Sequence, residues 1–89
     1  MIATLGIFQM QPGLYEYQVG CNGQELFADA GFNSIESAIG AASDVTGPIT
    51  AMEVAYRGIV GGTFPLHRLR TDTRAVADHL VATVASVLD

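Results

Sequence analysis

The chain has 89 residues, a formal net charge of −5 and no lysine; its only cations besides the N-terminus are four arginines. That balance argues against a nucleic-acid partner and against an anionic membrane surface, since both are held by many Lys and Arg contacts. Nearly half the residues (49%) are hydrophobic and 15% are charged, which is apolar for a single small domain with a large surface to cover, so self-association is expected.

One cysteine, Cys21, permits no intrachain disulfide and suits a reducing compartment. The opening Met1-Ile2-Ala3-Thr4-Leu5 lacks the basic region and cleavage site of a secretory signal. The expectation is a cytoplasmic protein of one domain, residues 1–89.

Ile2–Gln9 reads as a strand, and Gln11-Pro12-Gly13 as a turn in which Pro presets φ and Gly accepts a positive one. Leu14–Val19 is a second strand. Asn22-Gly23 then carries a strong hairpin signal, because that dipeptide fits a type I′ turn whose twist matches the strands. Gln24–Asp29 returns as a third strand. Counting outward from Asn22-Gly23 sets Val19 opposite Leu26, Tyr17 opposite Ala28 and Tyr15 opposite Ala30, on a core face. Glu16, Gln18, Glu25 and Phe27 fall on the other side. Folding the first strand back across Pro12-Gly13 sends Leu5 and Ile7 to join Phe27 outside, and Phe8 and Met10 into the core.

Asn33 and Glu36 form a capping-box pattern ahead of an apolar stripe at Ile35, Ala38, Ile39 and Ala42, which predicts a short helix ending near Ser43–Val45, before Gly47-Pro48. Thr50–Tyr56 alternates as a strand, Arg57-Gly58 is a tight turn, and Ile59–Phe64 returns until Pro65 ends it. A last helix begins at Thr71 or Asp72, with a buried stripe of Val76, Ala77, Leu80, Val84, Val87 and Leu88. It is too short to span a bilayer. The fold class is α+β in the order β-β-β-α-β-β-α, an antiparallel sheet of about five strands with two helices packed on one face.

The cations define the first candidate site. Arg68, Arg70 and Arg74 fall beside His67, near the expected start of the last helix, where free N–H groups attract anions. Such a segment suits an acidic protein or a small anion. The competing reading is that the arginines neutralise Asp72, Asp78 and surface glutamates. The second candidate is a self-association face made by Leu5, Ile7 and Phe27, if no helix covers them; otherwise the three are plain core.

Other features carry less. His67 and His79 have no partner at metal-ligand spacing, so no metal site is expected, and both read as surface histidines. Cys21 has neither a base nor a cation beside it to form thiolate. Gly58 and Gly61-Gly62 fit no phosphate-binding fingerprint and suit a bent strand. Glu16 and Glu25 fall on one sheet face, a solvated place that does not tune a catalytic pair. No catalytic residue and no cofactor is expected. An enzyme would need a pocket between helices and sheet lined by Tyr15, Tyr17 or Tyr56, with His67 near its mouth.

From Ile7 to Ser43, the strands followed by Gly31-Phe32-Asn33-Ser34, Ala38-Ile39 and Ala42 are loosely similar to the small sensor domains of some toxin–antitoxin antitoxins. The resemblance implies a truncated ribonuclease-H-like β-β-β-α-β core without catalysis of its own. The sequence reading as a whole favours a non-enzymatic protein-interaction module, a homodimer joined through its sheet. The alternative is a small-anion or small-molecule binding protein, or a minor enzyme, using the His67–Arg74 segment and the last helix N-terminus.

Overall fold

The computed structural model describes residues 1–44 and 48–88. Three strands come first, β1 (Ile2–Gln11), β2 (Leu14–Cys21) and β3 (Gln24–Phe32), followed by α1 (Ile35–Ser43). Then come β4 (Ala51–Tyr56), β5 (Ile59–Pro65), α2 (Leu66–Thr71) and α3 (Thr73–Leu88). The first five elements follow the β-β-β-α-β order that the resemblance implies. The expected Gly47 helix breaker lies outside the described residues.

The strands form one sheet in the order β3-β2-β1-β4-β5. Its hairpins are antiparallel, but β4 pairs parallel with β1, Leu5 opposite Val54. The sheet is therefore mixed, where the sequence reading expected antiparallel pairing throughout. The cause is α1, which carries the chain from the β3 edge back across the sheet, so that β4 enters beside β1 running the same way.

Two hairpin turns form as their residues demand. Asn22 and Gly23 have φ of 55° and 79°, Arg57 and Gly58 have 56° and 77°, and positive φ at both central positions is the type I′ signature.

Register departs from simple counting in both N-terminal hairpins. Next to the Asn-Gly turn the pairing is as expected, with Cys21 opposite Gln24 and Gly20 opposite Glu25, but Val19 then faces Phe27 and Tyr17 faces Asp29. Leu26 is the extra residue of a bulge. Gly31, with φ of 95°, is the extra residue of a second, and Tyr15 pairs with Phe32. In the other hairpin Gln11 faces Leu14 and Gln9 faces Tyr15, which leaves Met10 bulged. One added residue inverts every later side chain. Leu5 and Ile7 thus enter the core beside Val19 and Tyr17, and Phe8 and Met10 turn outward, the reverse of the expected faces. Leu5, Ile7 and Phe27 do share a face, but it is the helix-covered one. Phe27 stays 40% exposed at its edge.

The core fills one side of the sheet: Ala3, Leu5, Ile7, Tyr17, Val19, Met52, Val54, Tyr56 and Phe64 meet Ala38, Ile39, Leu69, Val76, Leu80 and Val84 from the helices. The N-cap of α1 is Ser34, whose Oγ accepts the Ser37 N–H at 3.0 Å, rather than Asn33, which accepts the Ser37 hydroxyl through Oδ1. The expected last helix forms as α3, and a short helix that the sequence reading did not expect, α2, precedes it. Leu66 and Leu69 have the spacing to turn an apolar edge inward directly after Pro65, and the chain breaks only at Asp72. The far end of the expected stripe, Val87 and Leu88, is exposed. Among the described residues, no helix is long and apolar enough to cross a membrane.

Candidate functional site

Among the described residues, the three helices cover one face of the sheet and leave the other open. By register, the open face carries Thr4, Gly6 and Phe8 from β1, Glu16, Gln18 and Gly20 from β2, and Glu25, Ala28 and Ala30 from β3. β4 adds Glu53 and Ala55, and β5 adds Val60 and Thr63. Phe8, Met10, Ile2 and Val60 are exposed apolar side chains. Phe8 lies over its own strand: a Cβ built on Gly6 would come 3.0 Å from the ring. The missing side chain at Gly6 is what lets the ring lie flat. Beside it the curl of the β2–β3 hairpin makes a shallow depression of about 400 Å³, lined by Thr4, Gly6, Phe8, Gln18, Gly20 and Glu25.

The arginine segment is not a loop. His67, Arg68 and Arg70 lie on α2, and Arg74 is in the first turn of α3. Arg70 donates through Nε to the Ser43 carbonyl at 2.7 Å, tying α2 to the carboxyl end of α1, where a cation complements the helix dipole. The Arg68 guanidinium stacks 5.5 Å from the centre of the Phe64 ring. His67 and Arg74 are exposed. The four residues are divided between two successive helices, and Arg70 and Arg68 make internal contacts.

The tyrosines pack into the core under the helices. Tyr17 and Tyr56 are buried, and Tyr15 is half-buried against the same core. Burial raises the Tyr17 pKa above the usual phenol value, with help from Asp29 and then Asp44. Burial also raises that of Tyr56, helped by Tyr15 and opposed by Arg57. The Tyr56 hydroxyl donates to Gln9 Oε1 at 3.4 Å. His67 does not approach them, because it follows Pro65, which pairs with Ala51 at the far end of β4 from Tyr56. Five residues of strand separate those ends by about 16 Å.

Glu16 and Glu25 share the open face without meeting. Glu25 lies opposite Gly20, four residues along β2 from Glu16, a distance of about 13 Å. Cys21 is a half-buried free thiol whose Sγ lies 3.8 Å from the Ile2 carbonyl oxygen. His79 places Nε2 3.1 Å from the Gly61 carbonyl, on the outermost strand, β5. Among the described residues, no group of three or more His, Cys, Asp or Glu is placed to hold a metal ion.

Sequence reasoning missed the open-face residues Phe8, Met10 and Val60 because it assigned the first two to the core. No local signal marks Met10 as outward, since polar residues on either side of it are what a strand burying it would also show. Comparison with protein-family models, with curated proteins and with solved structures finds no match for this chain.

Proposed function

We propose that this chain is a non-enzymatic protein-interaction module of the cytoplasm that self-associates through the open face of its sheet, forming a homodimer. The observation that carries the reading is a five-stranded sheet with helices on one face only, whose bare face presents Phe8, Met10, Ile2 and Val60. Strand spacing and rise give that face a footprint of about 24 by 20 Å, near 500 Å² before its corrugation is counted. The smallest specific interfaces bury about 600 Å² per partner. Small side chains at Gly6, Gly20, Ala28, Ala30 and Ala55 let a second sheet approach closely. The acids Glu16, Glu25 and Glu53 lie among them and suit a polar rim.

The anion-binding alternative over His67, Arg68, Arg70 and Arg74 has less support, because Arg70 and Arg68 already contact Ser43 and Phe64.

Sedimentation equilibrium at low and high salt tests the proposal. The expected result is a dimer insensitive to salt, converted to a monomer by Phe8→Lys with an unchanged circular dichroism spectrum. A wild-type chain that stays monomeric at millimolar concentration overturns it.

A further inference from the structure

We infer that the free edge of β3 is a second docking surface, one that accepts an extended, basic strand of another protein by β-augmentation. The two edges of the sheet are treated differently. The β5 edge is irregular: Gly62 has φ of 140°, Pro65 ends the strand, and His79 occupies the Gly61 carbonyl. Each of these discourages a further strand. The β3 edge is longer, and every residue from Gln24 to Gly31 is exposed. Leu26 and Phe27 are each 40% exposed, which gives an incoming strand apolar surface to cover. β3 is itself bulged at Leu26 and Gly31, so the regular stretch offered to a strand is Phe27–Ala30, where the Ala30 N–H donates to Asp29 Oδ1 at 2.8 Å.

Charge selects the occupant. Residues 1–56 contain Glu16, Glu25, Asp29, Glu36, Asp44 and Glu53 and no arginine or lysine. Glu25 and Asp29 lie on the edge strand itself, and Glu16 lies on the neighbouring strand opposite Ala30. Among the described residues neither Glu25 nor Asp29 makes an ion pair with a cation. A second copy fits poorly, because β3 paired with β3 about Phe27 sets Glu25 of each chain opposite Asp29 of the other, and like charges directly opposite repel. The chain's own arginines do not supply the strand either, since Arg68 and Arg70 are helical and Arg57 occupies a turn.

The Leu26 bulge also sets the spacing. β2 passes from Gly20, opposite Glu25, to Tyr17, opposite Asp29, in three steps rather than four. An incoming strand of the same step carries its two basic residues three apart, one on each face of the sheet. Main-chain hydrogen bonds supply the affinity and the charges supply the selection.

The test uses the full chain, labelled with ¹⁵N, and the peptide Thr-Val-Lys-Val-Thr-Lys-Val-Thr, with a control in which both lysines are replaced by glutamate. The expected result is that the lysine peptide shifts and protects amides of Gln24–Phe32 and the glutamate peptide does not. Glu25→Gln with Asp29→Asn weakens binding about fivefold, as two exposed charge pairs imply. Asn at 29 keeps an acceptor for the Ala30 N–H, so the edge should keep its shape. No binding at millimolar peptide, shifts confined to the open face or to α2, or equal binding of both peptides would overturn the inference. Growth of chains of copies at low salt without peptide, abolished by the same variants, would also overturn it by making this protein's own arginines the partner.

Discussion

The close approach of α3 to the sheet at Gly61 sets up a double-mutant cycle. Gly61 lies in the bulged part of β5, between the pairs Val54–Gly62 and Ala55–Val60. A Cβ added there would fall 2.5 Å from Leu80 Cδ1, with the Leu80 Cα at 3.4 Å and Cβ at 3.6 Å. The backbone atoms can tolerate the methyl; the Cδ1 contact is about 1 Å inside the usual carbon–carbon separation. Leu80 has no exposed surface, so it has nowhere to swing, and either its rotamer or α3 must shift. Gly61→Ala should therefore destabilise the fold by about 1–3 kcal/mol. Leu80→Ala alone empties buried space and should cost about 2–5 kcal/mol. In the double variant the new methyl has the room that Leu80 vacated, so the combined loss should fall short of the sum by about 1–2 kcal/mol. Urea unfolding followed by far-ultraviolet circular dichroism, at one fixed protein concentration so that dimerisation does not confound it, measures all four corners. Losses that add to within about 0.5 kcal/mol, or a neutral Gly61→Ala, would refute the close approach of α3 to the β5 bulge.

Other consequences are simpler to measure. Arg57 has φ of 56°, where an L-residue other than Asn or Gly is strained, so Arg57→Asn should raise stability by about 0.5–1 kcal/mol; an unchanged or lower urea midpoint would show that the side chain holds a compensating contact. Arg70→Ala removes the 2.7 Å bond to the Ser43 carbonyl and should cost about 1–2 kcal/mol, whereas Arg74→Ala should stay within about 0.5 kcal/mol; equal effects would contradict the structural role of Arg70. Tyr17 and Tyr56 have pKa values raised above the ordinary 10.0, so the folded state holds their protons more tightly than the unfolded chain. Their contribution is complete below pH 10 and is lost as pH rises through the folded values. Stability should therefore fall in the alkaline range, with a shallower fall in Tyr17→Phe; an identical alkaline slope for the variant would exclude it as a source.

Much of the fold is legible locally. Asn22-Gly23 and Arg57-Gly58 mark tight turns because chain twist and positive φ are properties of four residues. Ala38, Ile39 and Ala42 show the buried stripe of α1 because helical periodicity lies within one segment. The order of strands and helices followed from such signals.

The faces of the sheet did not. Met10 and Leu26 are bulged, and neither is a residue type that announces a bulge; extruding Met10 sets Leu5 and Ile7 beside Val19 and Tyr17 under the helices, and extruding Leu26 brings Phe27 to that same face. Counting from a turn assumes an unbroken ladder, so one extra residue exchanges the core and open faces and moves the candidate interface from Leu5 and Ile7 to Phe8 and Met10. The parallel placement of β4 beside β1 and the helix around Arg68 and Arg70 were hidden for a related reason. Both depend on what α1 and the sheet already bury, and no short window of sequence contains that information. Composition and turn chemistry determined the elements, while long-range burial decided which side chains face inward, which edge stays open, and so where a partner can bind.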